Sequence, residues 1–400
     1  MDKIVGRDIV IVGLQPWDTE IGSNCKNIAL EFSKLNRVLY VNSPLDRITK
    51  LRGKGDGGVK KRIDILEHPE KNIENIADNL WVFYPDVVIE SINWIKVNFI
   101  FDMLNRFNGN NISKSIKRAI KVLNFRDVIL FNDNDIFRSF YLKEYLQPSL
   151  SIYYSRDYLL GVDYWKYHGK RLEPKLISKS DLCVANSSYL AAMCKKYNDA
   201  SFDVGQGCEI DLFLNAENDS TPQELVNMPI PIVGYVGALQ SLRLDIDTIG
   251  FIAQANPTWS IVLVGPEDEA FRESILHRMS NVYFLGSKMP DQLPGYINGF
   301  TVCINPQLVN EVTIGNYPRK IDEYLAVGKP VVATLTKAMD LFKSHCYLAE
   351  SKEQYVSLIE SAMKDDNADL HTQRKVFAST HTWENSVGAI YAAILSVINK

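Results

Sequence analysis

Short apolar runs alternate with amphipathic segments along the first half of the chain. The runs at 8–14 (DIVIVGL) and 37–42 (RVLYVN) predict buried parallel strands, and the segment 25–35 between them carries apolar residues at helical spacing. Because β-α-β crossovers are right-handed, this unit predicts half of a doubly wound sheet. The glycine-rich, basic residues 50–64 predict a mobile surface loop. Further strands are predicted at 80–85, 127–133, 151–157 and 181–187.

The same alternation restarts after the polar, proline-bearing stretch 215–230, which is typical of a linker. The chain is therefore predicted to be α/β, with two Rossmann-like doubly wound domains facing a cleft. We expect an N-terminal domain over 1–210, a C-terminal domain over 211–384, and a terminal helix over 385–400 that packs back on the first domain. The second set of strands is predicted at 231–237, 260–265, 281–286, 300–306 and 329–334. Helices are predicted at 244–255, 267–278, 290–298, 317–327 and 382–398.

The composition describes a folded chain that is too long for one core. It has 400 residues, of which 46% are hydrophobic and 23% are charged. Its six cysteines form no C-x-x-C pair and lie near no histidine at ligand spacing, so we expect reduced thiols and no zinc site. The sequence shows neither a signal-peptide pattern nor an apolar run of transmembrane length, which predicts a cytoplasmic protein. No Walker loop or early G-x-G-x-x-G is present, which argues against a kinase or a dehydrogenase, and no nucleic-acid partner is expected.

The two halves of the chain carry opposite charge. Residues 1–200 hold 30 Lys and Arg against 24 Asp and Glu, whereas residues 201–400 hold 14 against 24. The basic half fits an anionic membrane surface or a lipid-linked phosphate, unless the excess is a surface bias without a function. Peripheral contact with the plasma membrane is expected through 92–121. There an apolar helix predicted at 92–107 precedes Lys114, Lys117, Arg118 and Lys121.

Candidate binding residues follow two strands of the second half at their carboxyl ends, where doubly wound sheets bind ligands. After the strand at 231–237, Gly237 lets the backbone approach a ligand, and Arg243 offers a fork of donors to a diphosphate. The loop after the strand at 300–306 carries Glu311, Thr313, Asn316 and Lys320.

The predicted helix that follows this loop places Lys320 and Glu323 on one face. Pro318 suits a first helical turn, and the amino end of a helix presents free N–H groups and a positive dipole end to an anion. Lys320 adds a full charge there, and Glu323 offers a carboxylate to the two hydroxyls of a ribose. The alternative is an ordinary i,i+3 salt bridge between Lys320 and Glu323.

Several stretches of the chain resemble one known family. The run 316–334 (NYPRKIDEYLAVGKPVVAT) resembles the donor-site helix of GT-B glycosyltransferases, closest to the family-4-like enzymes of bacterial surface polysaccharide synthesis. GYVGALQSLRLD (234–245) resembles their first donor-domain strand and loop, and GQGCEIDLF (205–213) resembles their crossing between domains. The resemblance covers most of 180–390. It implies the GT-B fold and transfer of a sugar from a nucleotide diphosphate-sugar.

The resemblance also implies roles for individual residues on the donor side. Arg243 and Lys320 would bind the donor diphosphate, and Glu323 would hold the ribose. The backbone around Leu285 and Gly286 would border the base.

One position departs from the family pattern. Many relatives carry a second glutamate eight positions before the ribose-binding one, near the sugar, where this chain has Gly315. Glu311 and Thr313 lie in the same loop and are candidates to replace it. Together with Asn316 they complete the predicted donor-side set.

The acceptor side is represented by the loop GLQPWDTEIGSN, which resembles the first loop of the family and contains Trp17, Asp18 and Gly22. Trp17 is expected either to stack on a sugar or simply to pack, and Asp18 is expected to bond a sugar. Asp157 ends a predicted strand. It is either an unpaired carboxylate that acts as a general base or a hydrogen-bonded strand-end residue.

Asp133 and Asp135 have a spacing that suits a divalent metal and a diphosphate. The other glycosyltransferase architecture uses such a pair, but its single domain differs from the pattern here. No metal is therefore expected. Among the histidines, His168 falls in a predicted first-domain helix, where a structural role is favoured.

The sequence thus predicts a metal-independent glycosyltransferase that moves a hexose from a nucleotide diphosphate-sugar. UDP is the favoured donor nucleotide because UDP-sugars are the commonest donors in the resembled family. The acceptor is a hydroxyl of a glycan or lipid-diphosphate-linked glycan in capsule, O-antigen or exopolysaccharide synthesis. Two alternatives stay open: a catalytically degenerate nucleotide-binding scaffold and a GT-B-type sugar-nucleotide epimerase. The candidate catalytic residues are Lys320, Arg243, Glu311 and Asp157.

Overall fold

The computed structural model describes residues 3–18, 23–52, 57–216 and 221–398. The chain divides into two compact units. Unit 1 comprises Met1–Gly205 and Ser386–Lys400, and unit 2 comprises Gln206–Asn385. The expected boundary at 210/211 lies close to this division, and the C-terminal residues group with unit 1.

Unit 1 is built on strands that are mostly buried. They are β1 (Asp8–Gly13), β2 (Arg37–Val41), β3 (Leu45–Asp46), β4 (Ile73–Ala77), β5 (Leu80–Phe83), β6 (Val88–Ile89), β7 (Ile129–Asp133), β8 (Leu150–Ser155), β9 (Leu182–Ala185) and β10 (Ser201–Asp203). Eight of them form one sheet in the order β10-β9-β8-β7-β1-β2-β5-β4, while β3 pairs with β6. All pairs are parallel except β4 with β5. Because the chain leaves β1 toward β2 and later returns to its other side with β7, the strand order reverses between β1 and β7.

The helices of unit 1 bury apolar residues in its core, except α2, which buries none. They are α1 (Asn24–Ser33), α2 (Arg47–Arg52), α3 (Gly57–Glu67), α4 (Asn98–Val122), α5 (Leu142–Leu146), α6 (Asp163–Lys179) and α7 (Ser188–Lys195), with 3-10 turns at Pro69–Lys71 and Leu159–Gly161. Ser23 and Ser187 cap α1 and α7, because each side chain accepts a hydrogen bond from a backbone N–H of the first turn.

The sequence prediction missed β3, β4, β6 and β10 of unit 1, and two segments that it did assign differ in the structure. The prediction of a loop over 50–64 is wrong for 50–52, which end α2, and for 57–64, which belong to α3. Ile65 buries its side chain there, and Arg62 donates to the Ser43 carbonyl at 3.0 Å, so tertiary contacts override the glycine-rich composition. The helix predicted at 92–107 begins at Asn98 and continues to Val122, because the buried face recurs at helical spacing through the basic stretch.

Unit 2 contains a second parallel sheet. Its strands are β11 (Ile232–Val236), β12 (Ser260–Val264), β13 (Val282–Phe284), β14 (Val302–Asn305), β15 (Val331–Thr334) and β16 (Tyr347–Ala349). Their order is β13-β12-β11-β14-β15-β16, and every pair is parallel. The five predicted strands are present, whereas β16 was missed. The strand order reverses between β11 and β14, which marks the expected ligand edge of the sheet.

The helices of unit 2 are shorter than the sequence suggested. They are α8 (Asp211–Leu214), α9 (Gln223–Val226), α10 (Ile246–Ala255), α11 (Glu269–Arg272), α12 (Leu293–Gly299), α13 (Arg319–Ala326), α14 (Lys352–Asp365) and α15 (Ala368–Ala378), with 3-10 turns at Ile275–Arg278, Pro290–Gln292 and Lys337–Phe342. The last helix, α16 (Trp383–Ile398), begins at the end of unit 2 and lies mostly in the C-terminal segment of unit 1. The helix predicted at 267–278 is divided into α11 and a 3-10 turn. The α/β class with Rossmann-like parallel sheets is confirmed. Within the described residues, no helix is both long enough and apolar enough to cross a membrane.

Candidate functional site

A cavity of about 430 Å³ opens in unit 2 at the carboxyl ends of β11 and β14. Its wall combines the turn after β11, the loop after β14 and the start of α13. It includes Gly237, Arg243, Thr313, Asn316, Lys320 and Glu323, all of which the sequence analysis selected. The other lining residues are Tyr235, Val236, Ala238, Gln240, Leu244, Leu293, Asn305, Gln307, Tyr317, Pro318 and Arg319.

Gly237 lets the strand end and the Lys320 side chain lie against each other. Its φ of +140° belongs to a region that side-chain-bearing residues rarely adopt. A Cβ at this position would stand 3.1 Å from the Lys320 Cε and 2.9 Å from the Tyr235 hydroxyl. A side chain at this position would crowd the Lys320 and Tyr235 side chains, so the glycine leaves the backbone at the end of β11 accessible to a ligand in the cavity.

The start of α13 concentrates positive charge where a helix already has its positive dipole end. Arg319 and Lys320 are its first two residues, and the N-cap Pro318 supplies no side-chain hydrogen bond. A cation in the first turn of a helix costs about 0.3–1 kcal/mol when no anion is present. This local cost is expected where the amino end of a helix serves as an anion site.

Glu323 is held at the cavity by an arginine that the sequence analysis did not select. The Arg319 Nε lies 3.3 Å from the Glu323 Oε1, and the Glu323 side chain is only 12% exposed. Lys320, instead of pairing with Glu323 at i,i+3, lies over the Tyr235 ring with its Nζ 5.2 Å from the centroid. Burial raises the pKa of the Glu323 carboxyl, and the charges of Arg319 and Lys320 oppose that rise. The i,i+4 spacing of Arg319 and Glu323 was a signal in the sequence that could have revealed this pair.

The loop between β14 and α13 is fixed mainly by Asn310, which the sequence analysis also missed. Its side chain donates to the Leu242 carbonyl at 2.9 Å and accepts from the Thr313 backbone N–H at 3.1 Å. The Thr313 hydroxyl donates to the Leu308 carbonyl and accepts from the Asn310 N–H, so it organises the loop. The Leu308 N–H donates to the Arg243 carbonyl at 2.8 Å, which ties both loops of the cavity together.

Two buried contacts hold α13 in place behind the cavity. The Tyr324 hydroxyl accepts from the Val236 N–H at 2.9 Å and so attaches the helix to the end of β11. The Asp322 Oδ1 lies 2.6 Å from the His381 Nδ1. Burial raises the pKa of the Asp322 carboxyl, and the hydrogen bond with His381 opposes that rise. Both contacts position the helix that carries Lys320.

Three predicted donor-side residues lie off the lining of this cavity. Leu285 and Gly286 follow β13, at the far edge of the sheet from β14, and Leu293 lines the cavity instead. Glu311 is exposed and does not line the cavity, so the structure does not bring it to the position that Gly315 leaves without a carboxylate. Gly315 itself is buried.

The predicted acceptor-side residues belong to unit 1. Trp17 is half-buried and packs edge-on against Tyr40, with ring centroids 5.1 Å apart, which agrees with the packing alternative. Asp18 accepts from the Arg62 guanidinium at 3.2 Å and is therefore engaged within the protein. Gly22 lies outside the described residues.

Asp157 is not the unpaired carboxylate that the sequence suggested. The Arg156 Nη1 donates to its Oδ2 at 2.7 Å, and the Arg156 Nε donates to the Asp133 Oδ1 at 2.8 Å. Asp133 is fully buried, and one guanidinium pairs with both carboxylates. Because this carboxylate is already engaged by a guanidinium, the structure favours the hydrogen-bonded alternative over the general base.

Asp135 and His168 also have structural partners. Asp135 accepts from the Arg138 Nε at 2.6 Å and from the backbone N–H of Phe137 and Arg138, so it caps the turn after β7. His168 stacks on Phe101 with centroids 3.6 Å apart, and its Nε2 lies 2.7 Å from a backbone carbonyl. The structural role favoured for His168 agrees with these contacts.

Comparisons with known proteins agree with the family resemblance that the sequence analysis described. Residues 230–365 match the model of the family described as glycosyl transferases group 1. HepE of Anabaena, solved in complex with UDP, is 14% identical and has a TM-score of 0.67, over 98% of this chain and 100% of HepE. The chain has the GT-B fold. The predicted resemblance to GT-B glycosyltransferases is thereby confirmed.

Two further relatives extend the GT-B comparison. A trehalose-phosphate synthase (UDP-forming) from Burkholderia vietnamiensis has a TM-score of 0.71 at 10% identity, over 99% of this GT-B chain and 98% of its own. TuaH of Bacillus subtilis (strain 168), whose name proposes a glycosyltransferase of teichuronic acid biosynthesis, is 28% identical over 229 residues. That match spans 54% of this chain and 56% of TuaH, little more than half of either. All residues that line the cavity fall within the segment that matches the family.

Proposed function

We propose that this protein is a glycosyltransferase that binds a nucleoside diphosphate-sugar in the cavity of unit 2 and transfers its hexose to an acceptor hydroxyl. The observation that carries the proposal is the convergence of Arg243, Lys320 and Glu323 on one cavity at the amino end of α13. The cavity of about 430 Å³ falls within the range of small-ligand sites. HepE, which shares the fold, has also been solved with UDP-glucose, which supports a UDP-sugar as donor.

Each group in the cavity has a role in this proposal. Lys320 and Arg243 bind the diphosphate, and the dipole of α13 points its positive end at the same anion. Glu323 accepts hydrogen bonds from the ribose hydroxyls. Arg319, which pairs with Glu323 in this structure, orients that carboxylate or turns to the phosphates.

Catalysis in this proposal is electrostatic. As the bond between sugar and diphosphate breaks, negative charge grows on the departing phosphate oxygens, and prepositioned cations lower the energy of that state. The reaction then needs no metal, because Lys320, Arg243 and the helix dipole supply the positive charge. If the sugar is transferred with retention of configuration, no protein base is required.

The acceptor in this proposal is a hydroxyl of a glycan or of a lipid-diphosphate-linked glycan in bacterial capsule, O-antigen or exopolysaccharide synthesis. The name of TuaH supports a surface-polysaccharide acceptor. The enzyme would work in the cytoplasm at the inner face of the plasma membrane, where a lipid-linked acceptor is exposed.

Thermal stabilisation by nucleotides tests the donor site directly. The protein is melted with UDP, GDP, ADP, CMP and NAD, each with and without EDTA. A ligand at about 100 times its Kd adds about 2.7 kcal/mol to the stability of the state that binds it. We expect a shift with UDP that EDTA does not change. A shift that EDTA abolishes would contradict the metal-free mechanism, and the absence of any shift would contradict nucleotide binding at this cavity.

A second candidate function is a scaffold that binds the nucleotide without transferring its sugar. Gly315 at the position of the family glutamate, together with the exposed side chain of Glu311, favours it. Slow hydrolysis of UDP-glucose separates the two, because a transferase releases UDP and a scaffold does not. Within the described part of the chain no histidine lines the cavity, so the epimerase alternative lacks one of its expected catalysts.

A further inference from the structure

Unit 1 exposes a row of large apolar side chains before and along the first half of α4. We call it the apolar ridge. Its members are between 40% and 77% exposed, whereas side chains of this size normally fill a core. Large exposed apolar side chains that cluster along one short segment indicate an interaction site. The ridge consists of Trp94, Val97, Phe99, Ile100, Met103 and Phe107.

The outward face of α4 changes from apolar to basic along its length. At about 100° per residue, positions 99, 103 and 107 share one stripe with four cationic positions of the second half. We call those four the basic end: Lys114, Lys117, Arg118 and Lys121, all of them exposed. The opposite face packs into unit 1 through Phe101, Ile112 and Ile116, so the outward face is free of the core of this unit.

The elements beside the ridge extend the same chemistry. Tyr167 of α6 donates from its hydroxyl to the Lys96 carbonyl at 2.9 Å, and the Lys96 Nζ lies 4.5 Å over the Tyr167 ring. Tyr164 is 60% exposed on the same helix. Aromatic rings that are next to cationic side chains suit the boundary between water and lipid.

The acidic residues of this surface are mostly neutralised by local partners. Asp102 pairs with Arg171 at 2.7 Å, Asp86 pairs with Arg118 at 2.6 Å, and Glu90 pairs with Arg47. The surface therefore presents a net positive charge beside the apolar ridge.

We propose that the apolar ridge and the basic end of α4 dock unit 1 on the surface of an anionic lipid bilayer. The first half of α4 would lie in the interface plane, with Phe99, Met103 and Phe107 among the acyl chains near the headgroups. The basic end would face anionic headgroups, which add a favourable contribution for each lysine or arginine close to the surface. A protein partner would also cover the ridge, but the gradient from apolar to cationic along one helix face complements lipid.

Vesicle binding tests the proposal on the full-length protein. The protein is sedimented with vesicles of phosphatidylcholine alone and with vesicles that also contain about 30% phosphatidylglycerol, at low and at high salt. We expect binding to the anionic vesicles that weakens with salt. The triple variant F99S/M103S/F107S should lower the partition coefficient at least tenfold. The triple variant K114Q/K117Q/K121Q should lower it by about 100-fold, since each lysine contributes about fivefold.

Matched variants away from the ridge control for a general loss of apolar surface or charge. Y197S/I275S/V376S removes three side chains that are 48%, 56% and 61% exposed. K195Q/K196Q/K364Q removes three exposed lysines outside the basic end. Both should bind anionic vesicles as the wild type does. The melting temperature of each variant shows whether it still folds.

Three outcomes would overturn the proposal. The first is wild-type vesicle binding by either triple variant of α4. The second is binding that does not depend on anionic lipid. The third is a dimer in sedimentation equilibrium that F99S/M103S/F107S dissociates, because a second copy would then cover the ridge. In these experiments binding is measured without donor or turnover, so their failure leaves the proposed transferase untouched.

Depth of insertion offers an independent measurement. Lipids brominated along the acyl chain quench only a tryptophan that enters the bilayer. We expect quenching in the wild type that is lost in W94F and retained in W81F, since Trp81 lies on β5 within the sheet of unit 1. Quenching that survives W94F would place another surface against the lipid and contradict the proposal.

Discussion

The two units share a parallel, doubly wound sheet, yet they treat the charges at its carboxyl edge in opposite ways. In unit 1, Arg156 is held between Asp133 and Asp157, so its positive charge is paired within the protein. In unit 2, Lys320 and Arg243 face a cavity, and across the described residues Lys320 forms no ion pair. The same topology thus yields an edge whose arginine is paired with carboxylates in one unit and a cationic edge in the other.

This difference separates a structural use of charge from a ligand-binding use. A guanidinium that already pairs with two carboxylates has little electrostatic attraction left for a ligand anion. Cations at the amino end of α13 instead raise the energy of the empty site, and a bound diphosphate would remove that cost. A local arrangement that is unfavourable without a ligand is expected at functional sites.

The largest effect is expected when Lys320 is replaced. Lys320→Ala should lower the rate of UDP release from a UDP-sugar by about 10²–10³-fold, because one preorganised donor at the developing charge is lost. Lys337→Ala is the matched control, since Lys337 lies in the same unit, is exposed and pairs with Asp340 at 2.7 Å. Near-normal turnover in Lys320→Ala would remove the assigned role of the cationic edge.

The second largest effect is expected in unit 1, on stability. Arg156→Met leaves the fully buried Asp133 without its counter-ion, which should cost about 3–5 kcal/mol in the free energy of unfolding. Chemical denaturation of the full-length protein measures this loss of stability. Arg47→Met removes an arginine whose partner Glu90 is at the surface, and it should cost less than about 1 kcal/mol.

The double variant Asp133→Asn/Arg156→Met completes this test. It removes the buried charge together with its partner, so it should recover much of the lost stability. If Arg156→Met were as stable as the wild type, the pairing of Arg156 with these carboxylates would not contribute to the stability of the protein.

A smaller effect is expected from Glu323→Gln, and it appears in nucleotide selectivity. If Glu323 accepts from the ribose hydroxyls, the wild type should bind UDP about 10-fold more tightly than 2′-deoxy-UDP, and the variant should lose this preference. The ratio is informative because freeing Arg319 changes the affinity for both nucleotides alike. Glu311→Gln is the control, and it should leave the ratio unchanged. A preserved preference in Glu323→Gln would reduce the Arg319–Glu323 pair to a structural contact.

Sequence periodicity was sufficient to predict the central strands of the two large sheets, but it missed short strands such as β4, β10 and β16 and many contacts at the sheet edges. Gly237, Arg243 and Lys320 were predictable because strand ends and helix starts follow directly from the apolar pattern. The pairing of Asp157 with Arg156 was not predictable, because adjacent strand residues point to opposite faces and only the loop geometry brings these two side chains together.

Other residues of the candidate site depend on details that no local pattern records. Arg319 reads as a solvent-facing residue at a helix start, although its i,i+4 spacing to Glu323 was visible. Asn310 donates a hydrogen bond to the carbonyl of Leu242, which lies in a different loop, 68 residues earlier in the sequence. Leu285 and Gly286 were placed by family analogy, and the shape of the cavity depends on the side chains of other elements.

The smallest expected effect concerns a third way of handling charge, which is to keep a buried carboxyl neutral. Burial raises the pKa of Glu173 in unit 1 to about 7, opposed by a hydrogen bond from the Tyr153 hydroxyl at 2.8 Å. A folded-state pKa above the usual value favours the folded state at low pH, and this contribution is lost as pH rises through about 7. Unfolding free energy should therefore fall by about 2 kcal/mol between pH 5 and 8 because of this residue.

Glu173→Gln should remove that slope, because glutamine mimics the neutral acid. Its amide can donate to Tyr153, whose hydroxyl then donates to the Asn134 Oδ1 at 2.9 Å. Denaturation at several pH values measures the slope, and Glu67→Gln on the exposed face of α3 serves as the control. A slope that persists in Glu173→Gln would show that another titrating group causes the pH dependence, and Glu173 would then have no part in it.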